Sequence, residues 1–142
     1  MRAALRWARR AAEEGETPVG CVIFSAEGEL LGTGRNRRES THDATAHAEI
    51  EAIRQACARR GDWRLEGCTI YVTLEPCPMC AGAILNARIP VVVYGAREER
   101  SGSCGSVIDL FSENYGFHPR VYGGVLKEEC AAELRAFFSE MR

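Results

Sequence analysis

Residues 69–95, TIYVTLEPCPMCAGAILNARIPVVVYG, restrict the fold of this chain more than any other stretch. TIYVT at 69–73 is rich in β-formers, PCPMCAGAILNA reads as a helix opened by its prolines, and VVVYG at 91–95 is an apolar run suited to a buried strand. Strand, helix and strand in that order form a βαβ unit, and the right-handed crossover rule makes the two strands parallel neighbours.

The rest of the chain extends the same alternation. Leu5, Ala8 and Ala12 recur near helical spacing before Gly15 and Pro18, which predicts a first helix over about residues 2–14. VGCVIF at 19–24 and LLGTG at 30–34 flank SAEGE and read as a hairpin, after which RNRRESTHDATA is expected as loop. Ile50, Ile53 and Cys57 mark one face of a second helix from about residue 44 to 60, with Asp43 as its N-cap and Gly61 as its stop. Residues 96–106, AREERSGSCGS, form a Gly/Ser-rich loop, and a short strand at 120–122 precedes a closing helix at about 127–141. The expected fold class is α/β, a three-layer αβα sandwich around a mixed sheet of about five strands. With 142 residues, 46% of them hydrophobic, and no repeat or linker, the expectation is one domain over 1–142.

Composition narrows the function classes. No window approaches the roughly 18 apolar residues of a membrane span, so no membrane role is expected. Seven cysteines without a secretion signal point to reduced thiols in a cytoplasmic setting. A net charge of −2 does not announce a nucleic-acid binder, and any basic patch must be local.

Cys77 and Cys80 are spaced i, i+3 at the start of the crossover helix, where both sulfurs can face one ion and the helix N-terminus favours thiolate. A C-x-x-C alone fits a redox dithiol, half of a structural zinc site, or part of a catalytic one. TAHAEIEAI adds His47 as a third soft ligand and Glu49 as a carboxylate two residues on. Three N/S ligands with a position left for water is the catalytic pattern, whereas a structural site takes four; Cys104 is the candidate for that fourth. Because i and i+2 diverge by about 200° inside a helix, His47 and Glu49 can serve one centre only at a helix beginning. Cys21, Cys57, Cys68 and Cys130 lie in or beside apolar segments and read as buried hydrophobes.

H-x-E followed by P-C-x-x-C is the signature of zinc-dependent nucleobase deaminases. Nearly end to end, through GETPVGCVI, GRNRR, HDATAHAEIEAIRQA, TIYVTLEPCPMCAGAI and YGAREERSGSCGSVIDL, the chain resembles the bacterial tRNA adenosine deaminase (TadA) family of the cytidine deaminase-like superfamily. That resemblance implies one Zn2+ per subunit on His47, Cys77 and Cys80, proton transfer by Glu49, a base contact from Asn36, and a pocket wall at Ala48. It further implies a homodimer that converts the wobble adenosine of a tRNA anticodon stem-loop to inosine. Arg35, Arg37, Arg38, Arg97 and Arg100 are candidate phosphate contacts, and Phe137 and Phe138 are expected in the core. The chain carries Glu98 where many of these proteins have Asp, and its FFSEMR end has only Arg142 as a basic residue. The runner-up activity is deamination of a free guanine- or cytosine-type base; outside enzymes, it is a non-catalytic zinc-stabilised module that binds RNA or protein.

Overall fold

The computed structural model describes residues 1–141. Its elements are α1 (Arg2–Glu13), β1 (Gly20–Phe24), β2 (Leu30–Arg35), α2 (Arg38–Thr41), α3 (Ala48–Arg60), β3 (Thr69–Leu74), α4 (Pro78–Ala87), β4 (Val91–Ala96), β5 (Arg120–Tyr122) and α5 (Lys127–Glu140), with one 3-10 turn at Leu110–Ser112. Five strands form one sheet in the order β2-β1-β3-β4-β5. β1 is antiparallel to β2 and β3, while β3, β4 and β5 run parallel, so the sheet is mixed and the crossover expectation is met. The described residues contain no helix long and apolar enough to cross a membrane.

Helices cover both faces. Cys21, Ile23, Ile70, Val72 and Val92 pack with Ala48, Ala52 and Ala56 of α3 and with Ala81, Ile84 and Leu85 of α4 in one core. A smaller cluster joins Leu5 of α1, Ala96 of β4 and Cys130 of α5. Small residues let these layers close tightly. A Cβ at Gly34 would stand 2.1 Å from the carbonyl oxygen of Ala48, and one at Gly20 would stand 2.0 Å from that of Ala4. Glycine at these two positions therefore brings the backbones of β2 and α3, and of β1 and α1, to a separation that a methyl group forbids.

Strand direction concentrates chain ends at one end of the sheet. Gly20 is paired with Arg35, Cys21 with Val72, and Leu74 with Ala96. The start of β1 thus lies beside the ends of β2, β3 and β4, and the segments following those ends meet there. This is the carboxyl edge of the parallel strands, where open α/β sheets place their sites.

Two expectations need correction. The second predicted helix begins at Ala48, not near residue 44, and His47 rather than Asp43 is its N-cap. Asp43 Oδ1 instead accepts the Thr45 N–H at 2.8 Å and the Thr45 hydroxyl at 2.7 Å, closing a local turn that competes with helix. Within the expected loop 35–46, residues Arg38–Thr41 form a short helix. Its first turn is held from outside the segment, because buried Glu16 accepts the N–H groups of Glu39 at 3.1 Å and Ser40 at 2.8 Å. Local pattern could not show a cap supplied from more than twenty residues away.

Burial pushes the Glu16 carboxyl up, but the donors from Ser40 and Glu39 and the nearby Arg38 charge outweigh it and hold the pKa below the ordinary 4.5. A carboxylate held low in the fold stabilises above its unfolded pKa, and this contribution is lost as pH falls below about 4.5. Glu16→Ala is expected to lower the thermal midpoint by about 3–7 °C at pH 7, the equivalent of losing about 1–2 kcal/mol of capping. Thermal melts followed by circular dichroism should show the gap to wild type narrowing toward pH 3; a gap that stays constant would refute the linkage.

Candidate metal centre and cavity

The site is assembled from two helix beginnings. His47 is the extended N-cap of α3, with φ −82° and ψ 155°, and Glu49 follows in the first turn. Cys77 is the extended N-cap of α4, with φ −76° and ψ 175°; Pro78 opens the helix and Cys80 lies within its first turn. Pro78 suits this position because its missing N–H is one the first turn leaves unpaired. The extended backbone at His47 turns its ring in front of α3, which removes the angular conflict between i and i+2 inside a helix.

His47 Nδ1 lies 3.6 Å from Cys77 Sγ and 3.5 Å from Cys80 Sγ, and the three ligand atoms fall within 4.8 Å of one another. A tetrahedral zinc ion with Zn–S of about 2.3 Å and Zn–N of about 2.0–2.1 Å has N···S edges of about 3.5–3.6 Å, so the donor set fits that ion. Among the described residues no further His, Cys, Asp or Glu joins the group. Cys104, the candidate fourth ligand, is not in the group; its backbone is fixed by Glu75 and by a bridge to Asp109. The three-ligand arrangement is that of an open site rather than a closed structural one.

Of the three donors only Cys77 is set in the thiolate form that a metal takes, while Cys80 and His47 are held toward their protonated forms, so binding an ion would release protons. A hydrogen bond from Cys80 lowers the Cys77 pKa most; burial opposes it, and bonds from His47 and the Cys80 N–H assist, leaving it at about 4. The same Cys77–Cys80 bond, together with burial, pushes the Cys80 thiol up. Hydrogen bonding to Cys77 raises His47 above 6.5. Glu49 is 3% exposed, and burial pushes its carboxyl up to about 7 against its own backbone N–H and the charge of His47. A carboxyl whose pKa lies near neutrality can both accept and return a proton.

His47, Ala48, Glu49 and Cys77 open onto a cavity of about 260 Å³ that Asn36 and Phe138 also line. Asn36 follows β2, its Oδ1 accepts the Arg38 N–H at 3.1 Å, and its own N–H donates to the Val19 carbonyl at 3.2 Å. The side-chain carbonyl is thereby committed and the NH₂ end remains as the donor for a ligand. Ala48 is fully buried against β2, so only a small side chain stands at that wall.

The structure separates the candidate arginines. Arg35 is bonded to Glu14 at 2.6 Å and Arg37 to Glu51 at 2.7 Å, so both are occupied by ion pairs. Arg97 donates to Ser106, whereas Arg38 and Arg100 line the cavity. Phe138 is 50% exposed at the cavity rim, which corrects its expected place in the core. It packs edge-to-face on half-buried Phe137, and adjacent helical positions cannot both face inward. Of the cysteines read as buried hydrophobes, Cys21, Cys68 and Cys130 are buried and Cys57 is half-buried. Arg142 lies outside the described residues.

Glu16 and Glu75 were not apparent from sequence. Both are buried carboxylates whose partners are backbone N–H groups of distant loops, and in a linear pattern they look like solvated charges.

Residues 1–96 match the family model for the cytidine and deoxycytidylate deaminase zinc-binding region. The tRNA-specific adenosine deaminase of Bacillus subtilis (strain 168) is 45% identical over 143 residues, covering all of this chain and 88% of that protein. The tRNA(Ile)-lysidine synthase of Deinococcus radiodurans is 49% identical over 142 residues, and the chain spans only 24% of that relative's length. Among solved structures, one from biochemical and structural studies of A-to-I editing by tRNA:A34 deaminases at the wobble position superposes with a TM-score of 0.90 at 44% identity, covering 94% of this chain and 97% of that one. With its donor set, its αβα fold, the family model and the match over 88% of the Bacillus subtilis relative in agreement, the chain belongs to the tRNA-specific adenosine deaminases within the cytidine and deoxycytidylate deaminase zinc-binding family.

Proposed function

We propose that this protein hydrolytically deaminates the wobble adenosine of a tRNA anticodon stem-loop to inosine, with His47, Cys77 and Cys80 as zinc ligands and Glu49 as the proton carrier. The observation that carries the proposal is the buried Glu49 carboxyl beside a three-ligand donor set that opens onto a cavity. Zinc, when bound, lowers the pKa of a coordinated water toward 7 and so supplies a nucleophile at neutral pH. Glu49 takes a proton from the attacking water, delivers it to the ring nitrogen next to the reacting carbon, and carries the second to the departing amine. Carbon–nitrogen bond cleavage releases ammonia and leaves a carbonyl. Asn36 donates to an acceptor on the base, and the methyl of Ala48 leaves the base room against the wall.

A stacked base cannot reach this cavity, so the substrate must be an unpaired loop whose base can swing out. Arg38 and Arg100 at the cavity support contacts to the flanking phosphates. We take residues 1–142 as one deaminase domain that acts as a homodimer in the cytoplasm. Exposed Val107, Ile108 and Tyr115 support a partner surface, and the seven free cysteines support a reducing setting.

Nucleoside analysis of an anticodon stem-loop after incubation with zinc-loaded protein tests the proposal. Inosine at the wobble position is expected; an untouched adenosine with deamination of free guanine or cytosine would refute it. Asn36→Ala should raise KM about tenfold with zinc content intact, the equivalent of losing one buried hydrogen bond of about 1–1.5 kcal/mol to the base. Unchanged steady-state kinetics would dismiss that contact.

A further inference from the structure

Glu75 joins the end of β3 to the N-cap of α4, two residues before Cys77, and lines the same cavity, yet its carboxylate is bonded to the 98–106 loop and not to His47, Cys77 or Cys80. Oε1 accepts the Glu98 N–H at 3.1 Å and the Ser106 hydroxyl, while Oε2 accepts the N–H groups of Cys104 at 3.0 Å and Ser106 at 3.1 Å. The group is 2% exposed. Glu98 and Ser106 are the two ends of a Gly/Ser-rich loop that contains no helix or strand, so one carboxylate closes the loop on itself. Gly102 sits against the same group: a Cβ there would stand 2.5 Å from the Glu75 carboxyl carbon and 2.3 Å from the Glu98 carbonyl oxygen. The loop can wrap the carboxylate this closely only with glycine at that position.

Three residues of this loop, Glu98, Arg100 and Ser101, line the cavity mouth. Such a loop would lose conformational entropy on ordering, and a ligand that had to order it would bind more weakly. We propose that Glu75 is a positioning residue that pre-orders the 98–106 loop so that its cavity-facing side chains meet the RNA around the reacting base. This rests on the function proposed above, and it assigns Glu75 to substrate binding rather than to proton transfer or metal binding. The clamp acts on the mouth of the cavity, while Asn36 and Glu49 at the reacting base are held by other elements.

The test compares zinc-loaded wild type, Glu75→Gln, Gly102→Ala and Ser106→Ala on an anticodon stem-loop. Gln in place of Glu75 sets an NH₂ against backbone donors, Ala at 102 pushes the loop off the carboxylate, and Ala at 106 removes one of the four bonds. KM is expected to rise about tenfold in the first two and about threefold in Ser106→Ala, with kcat within about threefold and zinc stoichiometry unchanged. Hydrogen exchange, which needs no substrate, should be about tenfold faster across residues 98–106 in Glu75→Gln and Gly102→Ala. Should Glu75→Gln fail to fold, the other two variants decide. An unmoved KM accompanied by a lower melting temperature would reduce Glu75 to a structural role, and a loss of zinc in Gly102→Ala or Ser106→Ala would show that it acts through Cys77; either overturns the proposal. Unchanged exchange overturns it whatever the substrate is. A wild-type protein that makes no inosine sinks the functional reading by itself, and the exchange data then judge the clamp alone.

Discussion

Glu49→Gln should retain one zinc per chain and lose about 10²–10⁴-fold in kcat on the stem-loop, the range that a positioned general acid–base supplies. Glutamine keeps the shape and burial of the side chain but cannot take a proton from water at neutral pH. Folding should not suffer, because the substitution removes a carboxyl from a site where charge is costly and where it is 3% exposed. Glu49→Ala should lose as much activity, with a cavity in place of the carboxyl. The two variants together separate chemistry from packing. Zinc measured by elemental analysis alongside single-turnover rates provides the check. Wild-type rates in Glu49→Gln would remove Glu49 from the mechanism and favour a non-catalytic zinc module.

Removal of the metal is the second large effect. An ion held by His47, Cys77 and Cys80 would tie the beginning of α3 to the beginning of α4, and would bind only where these two N-termini are folded together. Binding to the folded state alone stabilises by about 4 kcal/mol when free metal stands at a thousand times its dissociation constant, which for a chain of this length is about 10–15 °C in melting temperature. Chelation should abolish activity and lower the melting temperature by that amount, and stoichiometric zinc should restore both. Cys80→Ala should behave as the chelated wild type and resist rescue, since Cys80 is fully buried at the donor set. Equal melting temperatures with and without chelator, or full activity in Cys80→Ala, would contradict the ligand assignment.

That His47, Cys77 and Cys80 come together was legible in sequence because each lies within a short local pattern. C-x-x-C at one helix start is an i, i+3 pair on one side of a first turn, and H-x-E at another can serve one centre because the His precedes the helix on extended backbone. The strand–helix–strand order of residues 69–95 likewise carried the parallel pair, which the β3–β4 register confirms. The N-terminus of α3 was harder. Asp43 is a residue type favoured at an N-cap, yet its oxygen is taken by Thr45, and the helix waits until His47 adopts an extended backbone at the donor set. Phe138 shows the same limit in another form. Its apolar character suggested the core, but α5 packs on the sheet through Cys130 and leaves Phe138 at the cavity rim.

By itself the sequence determined the α/β class, the mixed order of strands and helices, and which imidazole, thiols and carboxyl form the candidate chemistry, because these follow from periodicity and from spacings of a few residues. Only the tertiary structure decided which charges are spent inside the fold. Arg35 and Arg37 are neutralised by Glu14 and Glu51, while Glu16 and Glu75 hold loops through backbone donors more than twenty residues away. The physical reason is that a charged side chain is indistinguishable along the chain whether solvent or a buried amide will answer it. That choice is made when strand ends, helix N-termini and loops converge at one edge of the sheet.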